Sequence, residues 1–120
     1  MFIDSKIVIH GDVNSLVQVI NNMISNAIQA YNGRTEEEIN LDFNMDDNNN
    51  LIISIEDHAD GLPQKVKDKL FKEMITTKGK NGTGLGLYMS YSTIKAHFNG
   101  NITFESEKGK GTKFNIILPL

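Results

Sequence analysis

Four glycines, Gly79, Gly82, Gly84 and Gly86, crowd eight positions of the run "GKNGTGLGLYMSYSTI" and lead directly into an apolar helical pattern. Glycine in a helix costs about 1 kcal/mol relative to alanine, so a cluster at a helix start needs a compensating use. The first turn of a helix presents backbone N–H groups without partners, at the positive end of its dipole. Glycine lets that backbone approach an anion with no Cβ in the way. "GTGLGL", with Thr83 inside it, is therefore a candidate phosphate cradle. It is not a Walker A loop, because the Gly-Lys pairs at 79–80 and 109–110 are not followed by Ser or Thr. It is not a dinucleotide fingerprint either, since position 87 is Leu and no strand leads in. A plain loop preceding a helix has the same spacing, so this run alone leaves both readings open.

Three further places carry residue types with chemical uses. Asn22 and Asn26 lie four apart and share one face of a helix. An amide oxygen is a hard, neutral ligand suited to Mg²⁺, which binds few protein groups and completes its shell with substrate phosphates. A solvated polar face, including Asn21, is the alternative. Asp57 follows Leu51, Ile53 and Ile55 at period two, which turns its carboxylate toward the same side as those apolar chains. An ionised carboxylate facing a core is costly unless it accepts hydrogen bonds. The exocyclic amine of adenine offers one, and the oxygen of guanine at that position does not. The alternative is a strand-end Asp capping the turn "DHADG", with Gly61 as its turn residue. In "TTK", Thr76, Thr77 and Lys78 bring hydroxyls and a point-charge ammonium suited to phosphates, or form an ordinary exposed loop.

These residues need elements to position them. Residues 2–9 alternate loosely and predict a strand. Apolar residues at 16, 19, 20, 23, 24, 27, 28 and 31 predict a four-turn helix, capped by Asp12 or Asn14 and stopped at Asn32-Gly33. Ile39, Leu41, Phe43 and Met45 predict a half-buried strand over 37–45, joined by the loop "DDNNN" to a return strand at 51–57. Pro63 opens a short helix to about Leu70. Residues 71–83 have no clean period and predict a mobile loop, followed by a helix over about 84–98 that buries Leu87, Tyr91, Ile94 and Phe98. "NITFES" and "TKFNIIL" close the chain as a hairpin around "EKGKG". The order predicts an α+β fold, a two-layer sandwich with helices on one face of a mixed, mostly antiparallel sheet.

Composition narrows the classes. The 120 residues amount to one domain, over 1–120, large enough for its own core. The absence of cysteine excludes disulfides, thiolate metal sites and cysteine nucleophiles. A net charge of −3, with the basic residues dispersed, argues against a nucleic-acid partner. The apolar runs are too short for a membrane span, and the start has no signal-peptide pattern. The expectation is a cytoplasmic piece with no membrane contact of its own, whose parent protein can still be anchored.

Taken in order, "NNMISNAIQA", "EDHADGLP", "LFKEMITTKG" and "GTGLGLYMSYSTI" resemble the N, G1, F and G2 boxes of sensor histidine kinases. The resemblance runs from about Gly11 to the closing strand "KGTKFNIILP". It implies a Bergerat-type ATP-binding fold of the GHKL superfamily, with the irregular loop as an ATP lid. By that resemblance Asn26 is the Mg²⁺ ligand, Asp57 the adenine anchor and Gly61 the second glycine of the G1 box. Thr77, Lys78, Gly82, Thr83, Gly84 and Gly86 fall on the phosphate side, with Leu85 and Leu87 packing beside them and Phe71 as the F-box aromatic. Ala59 departs from the glycine often found there. Asn22 stands where hydrolysing relatives carry a glutamate base. Asn cannot take a proton, and losing a positioned base typically costs 10²–10⁴ in rate. Asn22 and Lys78 are thus the residues expected to bear on catalysis.

The implied activity is transfer of the ATP γ-phosphoryl group to a histidine, with Mg²⁺ as cofactor. The family's acceptor histidine is followed by Glu or Asp, whereas this chain has His10-Gly11, His58-Ala59 and His97-Phe98. The acceptor is therefore expected on a separate dimerisation domain of the parent, with a response regulator downstream and this piece monomeric by itself. An ATPase or ATP-gated switch of the same superfamily, and a nucleotide-binding module without catalysis, are the alternatives.

Overall fold

A computed structural model of the chain describes residues 11–31, 38–69 and 83–120. The expected strand over 2–9, Asn32-Gly33 and nearly all of the expected lid lie outside these residues. Helix α1 (Val13–Ala30) opens with Asp12 as its N-cap. The Asp12 carboxylate accepts the Asn14 N–H at 3.0 Å, a backbone donor that a helix start leaves without a partner, and also the Ser15 hydroxyl at 2.9 Å. Strands β1 (Ile39–Met45) and β2 (Asn50–Asp57) follow, then the short helix α2 (Gln64–Lys69) directly after Pro63. Helix α3 (Thr83–Phe98) leads into β3 (Asn101–Glu107) and β4 (Gly111–Pro119).

The four strands form one antiparallel sheet in the order β1-β2-β4-β3. Period two sorts each strand. Leu51, Ile53 and Ile55 of β2, Phe114, Ile116 and Leu118 of β4 and Ile102 of β3 turn to one face. They meet Val19, Met23 and Ala27 of α1 and Leu87, Ile94 and Phe98 of α3 in a single core. On the opposite face a polar row crosses the sheet: the Ser54 hydroxyl donates to Asn115 Oδ1 (2.8 Å), and Asn115 Nδ2 donates to Thr103 Oγ1 (3.3 Å). The α+β architecture predicted from the sequence is the one observed. One detail differs. Leu41 and Phe43, on the apolar face of the strand expected over 37–45, are not covered and stay 50% and 46% exposed. Their alternation is real, but β1 is the edge of the described sheet, where helix cover is thin.

Two glycines fix how the chain runs past the end of β2. Gly111 has φ +120°, and an added Cβ would lie 2.2 Å from the Asp57 carbonyl oxygen. Gly61 has φ +83°, and its Cβ would lie 2.5 Å from the Glu107 carbonyl oxygen. Both contacts are with backbone, which cannot swing aside. Gly111→Ala is therefore expected to lower unfolding free energy by about 2 kcal/mol or more, read as a reduced urea midpoint at unchanged slope. Gly109→Ala, where no atom lies within 4 Å, should be much milder despite its φ of +83°.

Candidate functional site

Asp57 ends β2 with its side chain on the core face, in line with Leu51, Ile53 and Ile55, and is 4% exposed. Its Oδ1 accepts two backbone N–H groups, from Ala59 at 3.0 Å and Thr112 at 3.2 Å. Among the described residues no hydrogen bond reaches Oδ2. Burial holds this carboxyl above its ordinary range, and the two N–H bonds oppose that shift without cancelling it. The site thus contains a mostly buried carboxyl with one oxygen engaged and the other without a hydrogen bond among the described residues.

Thr112, whose N–H reaches Oδ1, is also one of a pair of hydroxyl residues. Ser106 and Thr112 face each other across the β3–β4 ladder, with their oxygens 2.9 Å apart. Ser106 Oγ also accepts the Leu62 N–H at 2.8 Å, and Lys67 Nζ donates to the Ser106 carbonyl at 3.2 Å. The loop that carries Gly61 is thereby fastened to β3 and, through the Ser106–Thr112 pair, to β4 beside Asp57. Sequence reading passed over this pair. Its signal was present, since Ser106 and Thr112 sit symmetrically about "EKGKG", and a hairpin read in register would have matched them.

Asn22 and Asn26 lie on the flank of α1 beside α3. Asn22 Nδ2 donates to Ser90 Oγ at 3.3 Å, across 68 residues of sequence, and Ser90 is 1% exposed. Asn26 Nδ2 is buried and has no hydrogen-bond partner among the described residues. An unmet buried donor is costly, which marks this amide as a candidate ligand contact. Rotating the amide by 180° exchanges its two ends, so it can present N–H to a phosphate or oxygen to a cation. No group of three or more His, Cys, Asp or Glu capable of caging a metal occurs among the described residues. A single neutral amide oxygen suits the Mg²⁺ mode, in which phosphates supply the charge; the residues present fit that ion.

The glycine run is placed in part. Gly84 and Gly86 lie in the first turn of α3, which begins at Thr83, and Leu87 is buried in the core at 2% exposure. Thr77, Lys78 and Gly82 lie outside the described residues, as does Phe71. Position 59 is Ala, 2% exposed, with its N–H committed to Asp57. His58 is exposed, its Nε2 2.6 Å from Asn40 Oδ1, and His97 is exposed in the last turn of α3.

The raised Asp57 pKa fixes a sign. Above the folded-state value the carboxyl is charged in both states and is penalised in the fold; below 3.8 it is neutral in both. Its unfavourable contribution is therefore full at neutral pH and fades as pH falls through the raised value toward 3.8. Asp57→Asn keeps an acceptor for the two N–H groups and removes the charge. The variant should equal or exceed the unmodified chain in stability at pH 7, with the gap shifting toward the unmodified chain as pH approaches 4, measured by urea unfolding across that range.

Comparison with known proteins gives a consistent result. Residues 11–120 match the model of the family described as histidine kinase-, DNA gyrase B-, and HSP90-like ATPase. The chain is similar to sporulation kinase A of Bacillus subtilis (strain 168), 37% identical over 114 residues, covering 95% of this chain and 18% of that protein. It is similar to the signal transduction histidine-protein kinase AtoS of Escherichia coli (strain K12), 38% identical over 112 residues, covering 93% of this chain and 18% of that protein. Among solved structures it is similar to the catalytic domain of histidine kinase ThkA in a nucleotide-free form. There the TM-score is 0.77 at 27% identity, covering 92% of this chain and 70% of that one. The chain spans about a fifth of the length of these two curated relatives.

Proposed function

Because the chain belongs to the histidine kinase-, DNA gyrase B-, and HSP90-like ATPase family, we propose that it is the ATP-binding catalytic domain of a two-component sensor histidine kinase. It transfers the γ-phosphoryl group of ATP to a histidine on a separate dimerisation domain, from which a response regulator is served. The single observation that carries the reading is Asp57: a buried carboxylate with one oxygen bonded twice and the other without a hydrogen bond among the described residues. An N–H donor on a flat, largely apolar ligand meets that requirement, and the adenine amine is such a donor.

In this reading each residue has a limited task. Asp57 Oδ2 accepts the adenine amine and disfavours guanine, whose oxygen would face it as a second acceptor. Asn26 would hold Mg²⁺, which supplies charge neutralisation on the phosphates. The N–H groups at the start of α3, freed of side chains at Gly84 and Gly86, grip the phosphate tail together with Gly82, Thr83 and Lys78. Asn22 has no basic group with which to activate water. The bound nucleotide is therefore kept for a presented imidazole, and phosphoryl transfer depends on positioning and charge neutralisation rather than on covalent chemistry by the protein.

Three outcomes test this. Asp57→Ala should lower affinity for an unhydrolysable ATP analogue at least 30-fold by calorimetric titration; an unchanged affinity contradicts the assignment. Asn22→Glu should raise steady-state phosphate release about tenfold or more, while the unmodified chain turns over only slowly. Added to a histidine-bearing helical domain from the same parent, the chain with Mg²⁺-ATP should label that histidine. Binding without labelling would instead favour a nucleotide-binding module with no catalytic role.

A further inference from the structure

Tyr31 belongs to none of the chemistry-bearing runs, yet its hydroxyl meets three backbone groups. It donates to the Glu38 carbonyl at 2.5 Å and accepts N–H groups from His58 at 2.8 Å and Glu38 at 3.4 Å. A phenol has one proton to donate and two lone pairs to accept with, and these contacts use all three. The ring is 3% exposed, at the C-cap of α1. From the end of α1 it thus joins two residues beyond the helix, Glu38 just before β1 and His58 immediately after Asp57. His58 is also held by its side chain, through Asn40 on β1.

The consequence for Asp57 is geometric. Its carboxylate closes a turn onto the Ala59 N–H, and His58 is the peptide inside that turn. Whatever fixes the His58 N–H fixes the turn, and with it the direction of the carboxylate. We propose that Tyr31 is a positioning residue for purine recognition, its hydroxyl holding the 57–59 turn so that Asp57 offers its second oxygen to the base. This rests on the reading that Asp57 accepts an N–H from adenine. The contact also ties the base end of the site to the helix that carries Asn22 and Asn26. Tyr31 lies about 7.5 Å along the axis from Asn26, so one rigid element sets the spacing between both ends.

Linkage makes the idea testable from two directions. If the hydroxyl favours adenine binding by some factor, adenine must favour the hydroxyl contact by the same factor. Tyr31→Phe keeps the ring and deletes only the oxygen. Titrating the 120-residue chain with an unhydrolysable ATP analogue should show about tenfold weaker binding for the variant. Preference for that analogue over its guanine counterpart should shrink by a similar factor, while affinity for Mg²⁺-tripolyphosphate stays within twofold. A folded variant with unaltered adenine affinity overturns the proposal. So does equal weakening toward all three ligands, which marks a purely structural tyrosine. The second measurement needs no variant: amide exchange at His58 in the unmodified chain should slow about tenfold when the adenine analogue saturates it. Unchanged exchange overturns the proposal even if Tyr31→Phe fails to fold. An unmodified chain that does not prefer adenine over guanine removes the Asp57 reading itself, whereas failure confined to the Tyr31 readouts leaves that reading standing.

Discussion

Holding the Asp57 carboxyl at 4% exposure beside Ile55 opposes folding, and two backbone N–H bonds to one of its oxygens offset only part of that cost. The surrounding structure is arranged around this one group. Gly111 brings β4 close enough for the Thr112 N–H to reach it, and Gly61 lets the following loop pass against the end of β3. Ala59 is small enough to be buried next to it. The Ser106–Thr112 hydroxyl pair ties the end of β3 to β4 beside it. A fold selected for stability alone would place an apolar residue at the end of that strand. A carboxyl retained there is what the proposed purine recognition requires.

Helix α1 is the second determinant. Its buried stripe of Val19, Met23 and Ala27 seats it on the sheet, which leaves Asn22 and Asn26 on the flank next to α3. The Asn22–Ser90 bond joins that flank to the helix whose first turn carries Gly84 and Gly86. At its far end Tyr31 reaches the peptide after Asp57. In the proposed reading, the groups for base recognition, metal holding and phosphate grip therefore sit along one helix and its two neighbours, at its sides and end rather than in its packed stripe.

Much of this was legible in the sequence where periodicity speaks. The 3.6-residue stripe of α1 and the two-residue alternation of β2 gave both elements nearly to the residue, and the second also gave the inward face of Asp57. Alternation could not show that the apolar face of β1 is left partly uncovered at Leu41 and Phe43, because strand order decides burial and is set by distant pairings. Tyr31 read only as the last apolar position of a helical stripe; its hydroxyl acts through backbone groups that no side-chain pattern encodes. Asn22 and Ser90 are 68 residues apart, and nothing local links them. The role proposed for the glycine run rests on resemblance to a family, since its spacing alone leaves a plain loop open as well.

The central claim is that one buried carboxylate recognises the amine of adenine. Inosine nucleotides differ from adenosine nucleotides at that position by an oxygen in place of the amine, with sugar and phosphates unchanged. Competition between unhydrolysable ATP and ITP analogues for the chain in Mg²⁺ buffer at neutral pH is the most direct measurement. The account predicts a preference for the adenine form of at least a hundredfold, since a site built around a hydrogen bond strongly rejects the analogue that cannot make it. Equal affinity for the two would contradict it.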